Sequence, residues 1–347
     1  MISIILAGGQ GLRLWPESRR NRPKQLCKFF SDKSMLEQTI NRLKQAGSHR
    51  VIIITNEQQR PLIKTMLDES DLQDIELLSE PQGKNTAPAV GLALARLRQD
   101  QQNDILGIFP ADHYVGDEPS FVSSLEKAIQ AAETGRLVTI GVKPRRPETG
   151  YGYIEKTRWE IGDIPNVYQV DSFCEKPDKE IAQQYVDSGQ HLWNAGIYIG
   201  NSQTFMDEFA LYLPEIHSRI SSGFDEYVAS YASLPDISLD YGIAEKSNRI
   251  AVVPSAFDWC DLGSWSAMDE FYQPDQDQNI GAGGNIAFVD SQSCLVKQKE
   301  KALVLFGVEN LLVVESDDII LVADRNRSQD LRQVIDALKN QERFDLL

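Results

Sequence analysis

The stretch ILAGGQGLRLWPESRRNRPKQ, residues 5–25, places a glycine-rich turn directly after an apolar run. Four arginines and Lys24 follow the glycines, together with Pro16 and Pro23, which stiffen a loop. The whole chain has 347 residues and a formal net charge of −16, from 35 Lys and Arg against 51 Asp and Glu. Positive charge is therefore concentrated behind one turn of an acidic protein.

A strand that enters Gly-Gly-x-Gly presents backbone N–H groups to a ligand, and a stiff cationic loop suits a polyphosphate. Two familiar phosphate motifs do not fit. No G-x-x-x-x-G-K-[ST] string occurs, and G-x-G-x-x-G starting at Gly9 would need glycine at position 14, where Leu14 stands. The basic cluster alone is also typical of a solvated surface, so both interpretations stay open at this point.

The first half of the chain alternates apolar runs with helical periodicity. Helical spacing occupies 35–47, 58–70, 87–100 and 121–135. The apolar runs predict strands buried on both faces at SIILA (3–7), VIIIT (51–55), IELLS (75–79), DILGIFPAD (104–112) and LVTIGV (137–142). This order predicts an α/β fold with a Rossmann-like, mostly parallel sheet and ligands at the carboxyl ends of its strands.

From about residue 145 the pattern loosens. Helical periodicity over 178–189 and 203–220 separates strand-like YGYIEK (151–156), VDSFCEKP (170–177) and WNAGIYIG (193–200). After PDQDQN, short apolar segments follow about eight to ten residues apart: NIAFVD (285–290), CLVKQ (294–298), ALVLFG (302–307), LLVVES (311–316) and IILVAD (319–324). They predict a small all-β module, closed by a helix over 327–341. We therefore predict two domains, a catalytic domain over 1–272 and a β-rich tail over 273–347.

Composition limits the partners and the compartment. An acidic surface repels nucleic acid and anionic membranes, so neither is expected to bind. No apolar run approaches the about 18 to 20 residues that span a bilayer, and the first residues lack signal-peptide features. The four cysteines form no C-x-x-C pair, which argues against a disulfide framework or a zinc site. A cytoplasmic location is expected.

The loop also carries a resemblance to a known family. LAGGQGLRLWPESRRNRPKQ resembles the signature loop of the sugar-phosphate nucleotidylyltransferases, in a form similar to the mannose-1-phosphate guanylyltransferases (GDP-mannose pyrophosphorylases). Matching segments follow in the family's order: EPQGKNTAPA (80–89), FPADHYV (109–115), TGYGYIE (149–155), FCEKP (173–177), WNAGIYI (193–199), LDYGIAEKS (239–247) and DWCDLGSW (258–265). The resemblance implies a GT-A-like nucleotidyltransferase fold with a tail similar to a short left-handed β-helix.

The family reaction is an in-line attack of mannose 1-phosphate on the α-phosphorus of GTP, which gives GDP-mannose and diphosphate. Such a protein must hold two anions together and neutralise developing charge. The resemblance implies that Arg13 and Lys24 do this, with Arg19 near the triphosphate and Arg20 and Arg22 at the solvent or on a neighbouring loop. It implies nucleotide binding by Leu6, Ala7, Gly8, Gly9, Gly11, Arg13, Lys24, Asn85, Thr86, Ala87, Pro88 and Asp112.

A divalent cation that bridges phosphates needs carboxylate oxygens. The resemblance implies that Asp112 and Asp261 bind Mg²⁺, with Mn²⁺ or Co²⁺ as alternatives. Asp258 matches less well, and His113 is expected to be structural because an ionised phosphate needs no general base. The implied sugar-phosphate ligands are Gly150, Glu175, Lys176 and Asn194.

Alternatives remain within and outside this class. The same chemistry can act on another sugar 1-phosphate or nucleotide, and a regulatory paralogue would have lost one of Arg13, Lys24, Asp112 or Asp261, all of which are present. Lys84 stands where relatives usually have arginine. The sequence ends at Leu347 without the isomerase domain of longer bacterial relatives, so a second activity is not expected. A homodimer is left open, since the apolar tail can pack on the main domain or on a second copy.

Overall fold

A computed structural model describes residues 1–9, 11–70, 72–98 and 104–347. The chain forms two compact units that do not follow chain order. The first unit comprises Met1–Gly8 and Leu36–Trp259, and the second comprises Gly9–Met35 and Cys260–Leu347. The boundary therefore falls inside the glycine-rich turn. The predicted division cuts the chain once, after residue 272, whereas each of these units combines two separate stretches of the chain. The predicted division stays a prediction.

Eleven strands precede the tail within the described residues. In chain order they are β1 Ile2–Leu6, β2 Arg50–Asn56, β3 Ile75–Glu80, β4 Ile105–Pro110, β5 Tyr114–Val115, β6 Leu137–Val142, β7 Tyr153–Glu160, β8 Tyr168–Cys174, β9 His191–Asn201, β10 Ile250–Pro254 and β11 Trp259–Cys260. Nine of these described strands form one sheet in the order β3-β2-β1-β4-β9-β6-β10-β8-β7. All five strands predicted in the first half are confirmed.

The sheet is parallel at one end and mixed at the other. The strands β3, β2, β1 and β4 run parallel, with Ile4 opposite both Ile52 and Ile108. Strand β9 lies antiparallel between β4 and β6. Burial on both faces holds for β1 and β2, but β3 is only half-buried because it is the edge strand.

The described helices are α1 Met35–Gln45, α2 Arg60–Asp68, α3 Thr86–Arg98, α4 Glu118–Glu133, α5 Lys179–Ser188, α6 Ser202–Tyr212, α7 Pro214–Ser221, α8 Phe224–Ser230 and α9 Leu331–Asn340. The four helices predicted in the first half are confirmed, although the last two predicted residues of 87–100 lie outside the described residues. The single helix predicted over 203–220 is two helices. Pro214 has no N–H and clashes with the preceding turn, so it ends α6 and begins α7.

The tail is a stack of short strands. They are β12 Ile280–Ala282, β13 Ile286–Val289, β14 Leu295–Lys297, β15 Leu303–Phe306, β16 Leu311–Glu315 and β17 Ile320–Asp324. The strands β12, β14 and β16 pair in parallel, as do β13 and β15, which is typical of successive turns of a β-helix. Only β12 was not predicted, because three residues around Gly281 give too short an apolar run. No helix of the described residues has the length and apolar character that a membrane crossing requires.

Candidate active site

The first unit gathers predicted nucleotide-binding residues at one edge of its sheet. Leu6 pairs with Ile54 and Pro110, so the carboxyl ends of β1, β2 and β4 lie side by side. Ala7 and Gly8 continue from β1, and the half-buried Asp112 lies in the turn after β4. These residues therefore lie at the edge where parallel strands end, which is where α/β sheets bind ligands.

Gly8 contacts a carboxylate that sequence reasoning missed. A Cβ on Gly8 would lie 2.6 Å from Oε1 of Glu80, so a larger residue would displace this carboxylate. The other oxygen of Glu80 accepts a hydrogen bond from the hydroxyl of Tyr231 at 2.9 Å. Burial raises the pKa of Glu80, and the Tyr231 hydrogen bond opposes that shift. The signal was available, because Glu80 ends an apolar strand much as Asp112 follows one.

The predicted base-binding loop begins α3. Asn85 has a positive φ of 68°, is exposed, and accepts the Thr86 N–H through Oδ1 at 3.0 Å. The Thr86 hydroxyl oxygen accepts the N–H of Leu239 at 2.7 Å. Ala87 and Pro88 are buried, and the Ala87 N–H already donates to a backbone carbonyl at 3.1 Å. Asn85 is therefore the member of this loop whose side chain faces solvent.

The predicted sugar-phosphate residues Glu175, Lys176 and Asn194 meet around Asp240. Lys176 follows β8 with a positive φ of 50°, and its Nζ lies 3.0 Å from Glu175 Oε1. Asn194 on β9 donates through Nδ2 to Asp240 Oδ1 at 2.9 Å. Gly150 lies in the turn before β7, where its N–H donates to Glu148 Oε1 at 3.1 Å. A cation, an amide and carboxylates thus stand together at one strand end.

Glu175 is the most unusual group of this cluster. Its side chain is only 6% exposed, and Oε2 has no hydrogen-bond partner among the described residues. A Cβ on Gly152 would lie 2.4 Å from that oxygen. Burial first, and then the charge of Asp240, raise the pKa of Glu175 to about 6, against the opposing effect of Lys176. A buried acceptor without a partner is typical of a position that a ligand's donor completes.

Asp240 and Tyr198 were missed by sequence reasoning. The Tyr198 hydroxyl donates to Asp240 Oδ1 at 2.6 Å and accepts from Asn194 Nδ2 at 2.9 Å. The Asn194 carbonyl oxygen accepts from the hydroxyl of Thr139 at 2.8 Å. These contacts fix the orientation of the Asn194 amide. Asp240 opens a π-helical turn, Asp240–Ala244, and its segment LDYGIAEKS was recognised without a role for the aspartate.

The second unit holds Gly9, Gly11, Arg13, Lys24 and Asp261. Gly11 has a φ of +61°, and a Cβ there would lie 2.2 Å from the Cβ of Lys24. Among the described residues beyond its chain neighbours, no atom lies within 4 Å of a Cβ built on Gly9. Lys24 starts a 3₁₀ turn and is buried, and its ammonium donates to the backbone carbonyl of Asp261. Arg13 is exposed in the turn Leu12–Leu14.

Arg19 does not have the position near the triphosphate that the resemblance implied. It is buried, its Nε donates to the Pro16 carbonyl at 2.9 Å, and both Nη atoms bond the Asp318 carboxylate. The expectation that Arg19 lies on the triphosphate is therefore wrong, because its donors are engaged within the second unit. For Arg22 the resemblance implied either the solvent or a neighbouring loop. The structure shows the second, because the Arg22 guanidinium lies 2.8 Å from the Asp317 carboxylate in a neighbouring turn. Arg20 is exposed.

The candidate metal ligands fall in different units, Asp112 in the first and Asp261 in the second. The carboxylate of Asp261 accepts the N–H of Gly263 at 3.0 Å, which fixes its direction. Within the described residues no group of three or more His, Cys, Asp or Glu side chains suits a metal. Mg²⁺ often takes only one or two carboxylates and completes its shell with phosphates and water, so the carboxylate chemistry of each residue suits this ion. The joint metal site stays a prediction.

Two neighbours of the candidate ligands have structural partners. Asp258 forms an ion pair with Arg145 at 2.5 Å. The Nδ1 atom of His113 accepts the indole N–H of Trp259 at 3.2 Å, and the two rings meet edge to face. These contacts support the structural interpretation of His113.

Comparison with known proteins identifies the class. Residues 2–278 match the family model described as Nucleotidyl transferase, and residues 284–338 match the MannoseP isomerase/GMP-like beta-helix domain. The chain belongs to the nucleotidyl transferase family. This membership confirms the predicted α/β class with a β-helix tail and the predicted enzyme class.

Individual relatives indicate which kind of nucleotidyl transferase the chain resembles. The chain is 35% identical over 356 residues to a mannose-1-phosphate guanylyltransferase of Klebsiella pneumoniae and to one of Escherichia coli. Each alignment covers 99% of this chain and 75% of the relative. A crystal structure described as mannose-1-phosphate geranyltransferase from Thermus thermophilus is 33% identical, with a TM-score of 0.88 over 97% of this chain and 99% of that chain. The predicted resemblance to the mannose-1-phosphate guanylyltransferases is confirmed.

Proposed function

We propose that this protein transfers the guanylyl group of GTP to mannose 1-phosphate and releases diphosphate, forming GDP-mannose. The observation that supports this proposal most directly is the cluster of side chains at the end of β8. Lys176 offers a cation for a phosphate, while the buried Oε2 of Glu175, which has no hydrogen-bond partner in the described part of the chain, is an acceptor for sugar hydroxyls. A single sugar phosphate carries both groups, a phosphate for Lys176 and hydroxyls for Glu175. The relatives named for this activity support the choice of mannose 1-phosphate.

Glu80 supports the choice of GTP. Guanine carries an exocyclic amino donor beside its ring N–H, and adenine lacks this pair of donors on one edge. A carboxylate accepts both hydrogen bonds, and Glu80 Oε1 lies against Gly8, a predicted nucleotide-binding residue. Its fixed partner Tyr231 holds the carboxylate in place.

The proposed mechanism needs no protein nucleophile. The phosphate of the sugar is ionised near neutral pH and attacks the α-phosphorus in line, while Arg13 and Lys24 neutralise charge on the triphosphate. Asp112 and Asp261 are the proposed ligands of Mg²⁺, with Mn²⁺ or Co²⁺ as alternatives, and a bound cation neutralises further phosphate charge. The cytoplasm is the proposed location, consistent with four cysteines that are all free thiols.

A substrate panel tests the proposal. Each of the four ribonucleoside triphosphates is incubated with mannose, glucose and N-acetylglucosamine 1-phosphates and Mg²⁺, and diphosphate release is measured. GTP with mannose 1-phosphate should give the highest kcat/KM, and Glu80→Gln should lower the preference for GTP over ATP by about tenfold. Absence of diphosphate with every pair contradicts the enzyme assignment, and a higher kcat/KM with another pair contradicts the substrate assignment.

A further inference from the structure

The segment that carries Arg13 and Lys24 belongs to the same compact unit as the tail. This segment contacts the tail at residues 316–318, which join β16 to β17 and which we call the tail turn. The Arg19 side chain is only 8% exposed and meets the Asp318 carboxylate with both Nη atoms, one at 3.0 Å. Although the Asp318 side chain is 56% exposed, the guanidinium is buried, and its two-nitrogen contact orients the pair more strictly than a single contact does.

Arg22 adds a second attachment to the tail turn. Its Nη1 lies 2.8 Å from Asp317 Oδ2, and its Nη2 donates to the Ser316 hydroxyl at 2.8 Å and to Glu17 Oε2 at 2.9 Å. The same Ser316 oxygen accepts from Arg19 Nη2 at 3.3 Å. One turn of the tail therefore binds two arginines of the segment.

Hydrogen bonds and packing contacts connect these two arginines to Lys24. Arg19 and Arg22 exchange backbone hydrogen bonds at 2.8 and 3.1 Å, which closes a tight loop that ends just before Lys24. The Ser18 hydroxyl donates to the Gly11 carbonyl at 2.6 Å, and Gly11 packs against the Cβ of Lys24. A shift of Arg19 or Arg22 is thus transmitted to Lys24 through short, ordered contacts.

We propose that the tail turn is a positioning element of the catalytic site, which sets the place of Lys24 through Arg19 and Arg22. The proposal rests on the proposed function and extends it, because it gives the β-helix tail a role in the transfer step. Asp318 and Asp317 are positioning residues, since they act on the substrate only through the arginines. A displacement of about 1 Å at a catalytic group can cost a hundredfold in rate.

A double-mutant cycle tests this role. Asp318→Ala should lower kcat about ten- to a hundredfold, Asp318→Glu should restore most of it, and the KM for mannose 1-phosphate should change little. In a Lys24→Met background, Asp318→Ala should cause almost no further loss, because its effect acts through Lys24. Asp336→Ala, which removes an exposed ion-paired aspartate on α9, is the matched control and should retain full kcat.

Two results overturn the proposal. One is unchanged kcat in Asp318→Ala, and the other is an equal fractional loss with and without Lys24, as general destabilisation would give. Amide hydrogen exchange keeps the test separate from the proposed function. Exchange over residues 9–35 should rise in Asp318→Ala but not in Asp336→Ala, whichever substrates the enzyme uses. Unchanged exchange would contradict the positioning role even if the wild-type enzyme makes GDP-mannose.

Discussion

The ammonium group of Lys24 donates a hydrogen bond to the backbone carbonyl of Asp261. The contact joins two predicted site residues from opposite ends of the sequence within one compact unit. A carbonyl oxygen is a neutral acceptor, and a phosphate oxygen is a charged one that binds ammonium more strongly. Lys24 is therefore held in place within the second unit, and the proposed contact with the triphosphate would replace this carbonyl by a charged acceptor.

Lys24→Met should lower kcat by about a hundred- to a thousandfold, because it removes one preorganised charge from the transition state. Methionine preserves the length and packing of the buried stem. Steady-state diphosphate release measures the loss. Lys28→Met, at an exposed position of the same segment, should keep normal activity. Comparable activity in the two variants would mean that Lys24 does not touch the reacting phosphates.

Gly11→Ala should damage both stability and turnover. The added Cβ would lie 2.2 Å from the Lys24 Cβ in a left-handed conformation that alanine disfavours. Gly9→Ala should leave the unfolding midpoint unchanged, since its Cβ would contact no described residue beyond its chain neighbours, yet it should raise the KM for GTP if the nucleotide occupies that space. Thermal denaturation and initial rates separate the two effects. A normal KM in Gly9→Ala would remove Gly9 from the nucleotide site.

Glu175→Gln should stabilise the protein at neutral pH. The folded state raises the pKa of Glu175 from its ordinary 4.5 to about 6, so folding favours the protonated form. The cost of the buried charge is present above pH 6 and disappears as the pH falls through 4.5. The variant should therefore gain about 1 to 2 kcal/mol of unfolding free energy at about pH 7 and almost nothing at about pH 4.

Urea denaturation across this pH range measures the Glu175 effect. Glu126→Gln, on the exposed face of α4, controls for the general loss of one negative charge. The same Glu175→Gln variant should raise the KM for mannose 1-phosphate, because an amide accepts fewer hydroxyl donors than a carboxylate. A pH-independent difference in stability between Glu175→Gln and wild type would show that Glu175 titrates normally.

Asp112→Asn and Asp261→Asn should each abolish most turnover while leaving the fold intact, and chelation of divalent cations should have the same effect on the wild type. Asp258→Asn is the matched control, because Asp258 is engaged with Arg145. Diphosphate release at several Mg²⁺ concentrations provides the measurement. Near-normal activity of either variant would exclude that carboxylate as a ligand.

Much of the fold was predictable because alternating apolar runs and helical periods mark a parallel sheet directly. The antiparallel insertion of β9 between β4 and β6 was not, since strand order depends on long-range pairing that periodicity does not encode. Pro214 was visible in the sequence and should have divided the predicted helix.

The candidate site was predicted less evenly. The family resemblance pointed to Glu175, Lys176 and Asn194, which the structure brings together, because each stands in a segment that matches the family. It missed Asp240, whose importance arises only when π-helical backbone places it beside residues distant in sequence. It also misplaced Arg19, since a cationic side chain beside a phosphate loop and one paired with a distant aspartate have the same local sequence.

The transfer of the α-phosphorus tests the central claim most directly. The wild-type protein is incubated with Mg²⁺, mannose 1-phosphate and GTP radiolabelled at either the α- or the γ-phosphorus, and products are separated by chromatography. The α label should enter GDP-mannose, and the γ label should leave in diphosphate. An α label that stays in GTP, or a γ label released as orthophosphate, would contradict it.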